Sequence, residues 1–183
     1  ALTQGREAVR LAPDHPLALT YLGDALAAHG QRAEAVELYR RAVRLGPNAA
    51  APHHRLGVVL AEEGHPDAIP LLTRAADLDP ADPEFGTTLA AALYEADRGD
   101  EALARYRAVL ARHPGYPPAL NALGFVLQDR GDVAGATAAY EAAVRARPEH
   151  AEAHMNRGLL LTEAGDTPAA VAAFREALRH DPD

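Results

Sequence analysis

The chain has 183 residues, a net charge of −8 and no cysteine, so disulfides, thiol nucleophiles and cysteine-based metal sites are excluded. No apolar run approaches the roughly 18 residues of a membrane span. The 18 basic residues, all of them arginine, are scattered among 26 acidic ones, whereas nucleic-acid binding needs a clustered basic face. We therefore expect no membrane span and no nucleic-acid partner.

A period of 34 residues runs through the whole chain. Prolines recur at steps of 33 or 34 residues, and three further columns keep the same phase. An alanine lies five residues before the proline, with Val109 the exception. From the second proline onward, an aromatic residue or leucine lies eight residues before it and another alanine lies twelve before it. The six prolines are Pro13, Pro47, Pro80, Pro114, Pro148 and Pro182.

Each period predicts two amphipathic helices joined by a turn. In chain order, residues 1–13 carry only a second helix, and five full repeats follow. In the fourth repeat, Leu120, Leu123, Gly124 and Leu127 recur at steps of three and four, which marks one face of a helix. Proline then ends the second helix, because it cannot continue helical hydrogen bonding. The full repeats span 16–49, 50–82, 83–116, 117–150 and 151–183.

This pattern resembles the tetratricopeptide repeat, in which a bulky residue and Leu-Gly are followed by alanine, an aromatic residue, alanine and proline. The resemblance implies an all-α fold, namely a right-handed superhelical solenoid of antiparallel helix pairs. It covers nearly the whole chain and implies a single array over residues 1–183 that begins with a half repeat. The pairs at the Leu-Gly position are Leu22-Gly23, Leu56-Gly57, Leu89-Ala90, Leu123-Gly124 and Arg157-Gly158.

Three repeats depart from the family pattern, the last of them because Arg157 takes the place of a core leucine. The second is one residue short and carries Pro70 within its expected second helix, which should therefore start late or kink. The third has Gly86 where a bulky residue is usual, Ala90 where glycine is usual, and Asp97 at the turn. We expect the first helix of the third repeat to be the least well packed.

The family resemblance also implies that the first helices line a concave groove that holds a peptide. The corresponding positions here give an apolar floor, which would bury a bulky ligand side chain, and an acidic margin, which would favour basic ligand residues. The alternative is that the floor is partly buried and the acids are merely solvated. The predicted peptide-binding residues are Tyr21, Asp24, His54, Val58, Glu62, Thr87, Ala91, Tyr94, Glu95, Asn121, Phe125, Gln128, Asp129, Met155, Leu159 and Glu163, of which Glu62, Glu95, Asp129 and Glu163 form the acidic margin.

The sequence predicts no cofactor, no metal ion and no catalytic site. His150 and His154 have the spacing of one helix face, with Glu152 between them, yet the second motif of a zinc site is absent. Neither a glycine-rich phosphate loop nor a nucleophile elbow occurs. Arg55 is the only cation at the groove positions with which chaperone-binding members of the family grip a C-terminal carboxylate, so we do not expect that mode of binding.

The sequence therefore predicts a scaffold without enzymatic activity that binds a protein or peptide. Two alternatives stay open: an accessory module cut from a larger enzyme such as a transferase, and a scaffold that self-associates through uncapped ends. The missing initial methionine favours a fragment. The alanine- and arginine-rich composition without lysine is typical of a high-GC bacterial genome. The absence of cysteine favours the cytoplasm, with the periplasm left open.

Overall fold

A computed structural model of the protein describes residues 1–181, so Pro182 lies outside the described residues. Every regular element within residues 1–181 is an α-helix, which confirms the predicted all-α class. None of these helices is long and apolar enough to cross a membrane. In chain order they are α1 (Leu2–Leu11), α2 (Pro16–Ala27), α3 (Arg32–Leu45), α4 (Ala50–Glu62), α5 (Ala68–Leu78), α6 (Pro83–Glu95), α7 (Gly99–Arg112), α8 (Pro117–Asp129), α9 (Val133–Ala146), α10 (Ala151–Glu163) and α11 (Thr167–His180).

The helices pack in sequential pairs. Helix α2 packs on α3, α4 on α5, α8 on α9, and α10 on α11, while α1 packs on α2. Neighbouring pairs touch as well, because α4 contacts α3 and α10 contacts α9. These contacts define two compact units, an N-terminal unit of residues 1–92 and a C-terminal unit that begins at residue 93. Each of the predicted full repeats contains one first helix and one second helix.

A glycine on the first helix allows the two helices of a pair to approach closely. A Cβ atom added at Gly124 would lie 2.6 Å from Cε1 of Tyr140, well inside van der Waals contact, so the Tyr140 ring rests directly on the backbone of α8. The same packing joins Gly23 to Tyr39 and Gly158 to Phe174. Alanines complete the interfaces and are fully buried at Ala35, Ala42, Ala75, Ala102, Ala136 and Ala143.

The second helix of the second repeat starts late, as Pro70 predicted. Helix α5 begins twelve residues before Pro80, whereas α3, α7 and α9 begin fifteen residues before their own prolines. Pro70 is the third residue of α5, where an N–H group would have no helical partner, so the helix tolerates it. As a result α5 has 11 residues, whereas α3 and α9 have 14.

The expectation that α6 is the least well packed first helix rested on Gly86 and Ala90. Both residues are buried, and so are Phe85 and Leu89 on the same helix. Burial therefore does not support the expectation.

A residue with positive φ follows the first helix of every full repeat. Gly30, Gly64, Gly131 and Gly165 have φ between 65° and 78°. Asp97 takes the same place in the third repeat with φ of 60°, and within residues 1–181 it is the only residue other than glycine with positive φ. The Arg98 N–H donates to the Leu93 carbonyl at 2.9 Å, which is the closing hydrogen bond of a Schellman motif. Asp97 thus holds a conformation that glycine adopts with less strain.

Replacing Asp97 by glycine should stabilise the protein. We expect Asp97→Gly to raise the free energy of unfolding by about 0.5 kcal/mol, because the left-handed conformation costs an L-residue more than glycine. The matched change Gly131→Ala should lower it by about 1 kcal/mol for the same reason. Urea unfolding followed by circular dichroism measures both values. A loss of stability in Asp97→Gly would show that the aspartate side chain stabilises the turn by more than its backbone strain costs.

Candidate binding surface on the first helices

Two hydrogen bonds hold α8 and α10 side by side in the C-terminal unit. At one end, the Asn156 amide donates to Oδ1 of Asn121 at 3.0 Å. Toward the other end, the Gln128 amide donates to both carboxylate oxygens of Glu163 at 3.0 and 3.1 Å. Both bonds join residues 35 positions apart, one more than the repeat period. They fix which faces of the two helices lie next to each other.

Large apolar side chains are exposed between these two bonds. Phe125 follows Asn121 by four residues and precedes Gln128 by three, so it shares their face of α8. Leu159 lies in the same way between the bonded residues of α10, and Met155 precedes it by one helical turn. Phe125 is 50 %, Leu159 49 % and Met155 39 % exposed. The three side chains, named here the apolar floor, present uncovered hydrophobic surface on first helices.

Tyr94 borders the apolar floor and connects it to an acid. Its ring meets the Phe125 ring edge to face, with 5.7 Å between centroids and an interplanar angle of 81°. Partial burial, together with the hydrogen bond to Asp129, raises the pKa of the Tyr94 hydroxyl above its usual value. The hydroxyl therefore stays protonated at neutral pH and donates to the carboxylate.

Within residues 1–181, the acids of the margin have no ion-pair partner in the C-terminal unit, whereas Glu62 in the N-terminal unit has one. Asp129 and Glu163 accept hydrogen bonds from the neutral Tyr94 and Gln128, which leave each carboxylate negative. Glu95 is exposed and makes no hydrogen bond or ion pair within residues 1–181. Glu62, by contrast, forms an ion pair of 2.6 Å with Arg32.

The first helices of the N-terminal unit carry a chain of charged contacts. Arg55 on α4 lies 3.3 Å from Asp24 on α2 and 3.6 Å from Glu84 on α6. Asp24 also accepts a hydrogen bond of 2.7 Å from the Tyr39 hydroxyl. Because Arg55 serves both acids, this surface satisfies most of its own charge before any ligand arrives.

Two predicted binding residues are buried and offer no surface to a ligand. His54 is 2 % exposed, bonded to the Thr88 hydroxyl at 3.1 Å and packed on the Phe85 ring at 4.8 Å. Burial lowers the pKa of its imidazole in spite of the nearby Glu84 carboxylate. Asn121 is 4 % exposed, and its side chain accepts a hydrogen bond from Asn156. Both lie on the flank of a first helix that packs on the next first helix, which the repeat position alone did not reveal.

The other predicted residues of the N-terminal unit lie at the surface with local contacts. The Tyr21 hydroxyl donates to Gln4 on α1 at 3.2 Å, and the Thr87 hydroxyl donates to the Pro83 carbonyl at 2.7 Å. Val58 is half-buried and Ala91 is exposed. These side chains are small or already bonded, so they provide less apolar surface than the apolar floor.

Sequence reasoning missed the partners that organise the surface. Glu84 and Asn156 were outside the predicted set, although they bond to Arg55 and Asn121. For Asn156 a signal was available, since it follows Asn121 by the period plus one, as Glu163 follows Gln128. Glu84 follows Arg55 by only 29 residues, so the same spacing does not reveal it.

His150 and His154 make separate contacts within the protein. His150 precedes α10 and caps it, because its Nδ1 accepts from the Ala153 N–H at 3.3 Å. His154 is buried, with its Nε2 at 2.8 Å from the Pro148 carbonyl. Among residues 1–181, no three His, Asp or Glu side chains are grouped so that they could hold a metal ion.

All the family models that match this chain describe the same repeat. Models described as tetratricopeptide repeat match residues 59–124 and 121–183, and a model described as TPR repeat matches residues 23–64. Together they cover 23–183. Comparison with curated proteins gave no significant match.

Solved structures share the fold over most of the chain. The crystal structure of MamA is 26 % identical, with a TM-score of 0.72 over 88 % of this chain and 95 % of that chain. YrrB, described as a TPR protein with an unusual peptide-binding site, is 18 % identical, with a TM-score of 0.69 over 100 % of this chain and 95 % of that chain. The pilF protein of Pseudomonas aeruginosa is 21 % identical, with a TM-score of 0.81 over 97 % and 78 %.

Alkaline pH should destabilise the protein through its buried tyrosines. Burial raises the pKa of Tyr106 and of Tyr140 to about 12, whereas an unfolded tyrosine ionises near 10. The unfolded chain therefore loses these protons first, so stability is complete below about pH 10 and falls as pH rises toward about 12. Urea unfolding between these pH values should show the fall. In Tyr140→Phe the fall should be shallower, and an equally steep fall would contradict the role of Tyr140.

Proposed function

The chain belongs to the tetratricopeptide repeat family, and we propose that it binds a peptide segment of a protein partner on the apolar floor of its C-terminal unit. Protein-binding scaffolds are the general class of this family. The proposal goes further, since it places the ligand on α8 and α10 and assigns no reaction to the chain.

The exposure of Phe125 carries the proposal. A phenylalanine that is half exposed beside the exposed Leu159 and Met155 leaves hydrophobic surface in water, which is unfavourable by roughly 25 cal/mol per Å². The two hydrogen bonds that flank these residues hold the helices, so the surface is formed before a ligand arrives. Preformed apolar surface is what a bulky ligand side chain needs for affinity.

The charges around the apolar floor favour a basic ligand. Glu95, Asp129 and Glu163 keep their negative charge, and Tyr94 and Phe125 add two aromatic faces. Arginine and lysine are attracted to both kinds of group. We infer that the segment combines a bulky apolar residue with at least one arginine or lysine.

The solved structures support peptide binding only through the fold that they share with this chain. YrrB is described as having a peptide-binding site, and its structure matches the whole length of this chain. At 18 % identity that likeness concerns the fold alone. The position of the ligand on this chain therefore rests on the geometry of its own residues.

Phe125→Ala should weaken ligand binding while the protein stays folded. We expect a loss of about 1–3 kcal/mol, the usual effect of removing a central aromatic contact. The probes are peptides selected from a random phage-displayed library on the wild-type protein, and their affinities are measured by fluorescence anisotropy. Leu178→Ala is the matched control, since Leu178 is an exposed apolar residue of the second helix α11. Selected peptides that bind Phe125→Ala as tightly as the wild type would place the site elsewhere.

Glu95→Arg should weaken binding of the selected peptides through charge alone. We expect a loss of up to about 1 kcal/mol at low salt that shrinks as salt is added, since exposed charges are screened. Glu149→Arg is the control, because Glu149 is an exposed acid outside the first helices. Equal effects of the two substitutions would mean that net charge rather than the acidic margin attracts the ligand.

A further inference from the structure

A second groove lies between the second helices α3 and α5 of the N-terminal unit. Helix α4 packs on both of them and provides the floor with Leu56 and Leu60. Val43 of α3 and Leu71 of α5 are half-buried and form the lower walls. The groove has a volume of about 530 Å³.

The rim of this groove is cationic on both sides. Arg40 and Arg44 stand one turn apart on α3, and Arg74 stands on α5. Arg44 makes no hydrogen bond or ion pair within residues 1–181. Arg74 donates only to neutral oxygens, the Asn48 side chain at 2.7 Å and the Pro47 carbonyl at 3.4 Å. Two of the three guanidinium groups therefore have no carboxylate partner.

The remaining rim groups do not cancel this charge. Arg40 is paired with Glu37 at 2.8 Å on the same helix. Asp67 is the one acid that lines the groove, and it lies 3.7 Å from His65. His53 holds its Nδ1 at 2.8 Å from the Ala49 carbonyl. Within residues 1–181, Arg44 and Arg74 thus have no carboxylate partner, and the groove lining includes one acid, Asp67.

The cationic rim belongs to a wider division of charge between the two sets of helices. The first helices α2, α4, α6, α8 and α10 carry seven acids and two arginines, whereas the second helices with α1 carry thirteen arginines and eight acids. An acidic ligand is therefore repelled from the first helices and accepted on the second helices, although the chain as a whole is acidic.

We propose that the groove between α3 and α5 binds an acidic segment of a partner protein that carries leucine-like side chains. The apolar side chains would lie on Val43 and Leu71, above the buried Leu56 and Leu60, and the carboxylates would pair with Arg44 and Arg74 on opposite walls. A related cleft between α1 and α3 provides an internal contrast, because two acids, Glu34 and Glu37, line it beside one arginine, Arg6. The two carboxylates should make that cleft bind the acidic ligand more weakly.

A designed peptide tests the proposal. The probe is a short synthetic peptide with leucines at the spacing of one helix face and glutamates between them. Two control peptides are used: in one every glutamate is replaced by lysine, and in the other every leucine is replaced by serine. Backbone amide spectra of the labelled protein should shift on α3 and α5 with the acidic leucine peptide and not with either control peptide. Shifts confined to the first helices, or equal binding of the lysine peptide, would overturn the proposal.

Charge reversal on the protein gives the second arm. We expect the double variant Arg44→Glu, Arg74→Glu to bind the acidic peptide about tenfold or more weakly, which corresponds to the loss of two charge contacts. Arg145→Glu is the matched control, since Arg145 stands three residues before Pro148 as Arg44 stands before Pro47. These residues are exposed, and circular dichroism checks that the variants stay folded. Unchanged affinity in the double variant would overturn the proposal.

Two further outcomes separate this groove from the alternatives. The variant Phe125→Ala should bind the acidic peptide normally, because Phe125 lies on a first helix of the other unit. A loss of peptide binding in Phe125→Ala would assign the peptide to the apolar floor instead. If the wild type ignores the peptide and self-associates, and if the double charge reversal abolishes the self-association, the occupant is a second copy and the proposal is wrong.

Discussion

The repeat depends on one contact, in which an aromatic ring or a leucine of the second helix packs against the backbone of the first helix at a glycine. At Gly124 even one methyl group would collide with the Tyr140 ring, and Gly23 and Gly57 face Tyr39 and Leu72 with similar closeness. Once this contact fixes the distance between the two helices of a pair, the alanine columns fill the rest of the interface. A core made this way needs few aromatic residues, which accounts for a chain with 5 % aromatic content and no tryptophan.

The same contact leaves part of each first helix available for binding. One face is committed to its partner helix and one flank to the next first helix, as the buried His54 and Asn121 show. The exposed surface that remains on the first helices differs between the two units. In the N-terminal unit Arg55 joins Asp24 and Glu84, so the surface charge is largely satisfied internally. In the C-terminal unit the remaining surface is apolar and its acids bond only neutral groups, which is why we propose that the ligand binds there.

The sequence predicted the fold well because the repeat multiplies every weak local signal. Proline, alanine and glycine columns in phase over the chain indicate helix pairs far more strongly than any one helix does, and even the late start of α5 followed from Pro70. The binding surface was harder to predict because it depends on neighbours in other repeats. A repeat position gives the direction of a side chain but not its partner, so His54 and Asn121 were assigned to the surface although Thr88 and Asn156 hold them in the interior. Exposure of Phe125 and Leu159 was predictable, since no position of the repeat pattern covers them.

The distribution of charge makes the two helix faces chemically distinct even though one sequence pattern generates both. Of the two arginines on the first helices, Arg55 pairs with two acids of other first helices, Asp24 and Glu84. Within residues 1–181, no close backbone contact joins two second helices of the same unit, which leaves room for long cationic side chains along their edges. Helix α5 starts late, at Ala68, and its half-buried Leu71 forms part of the groove wall. The missing residue of the second repeat therefore alters the wall of the groove where we propose a second binding surface, with a charge preference opposite to that of the first helices.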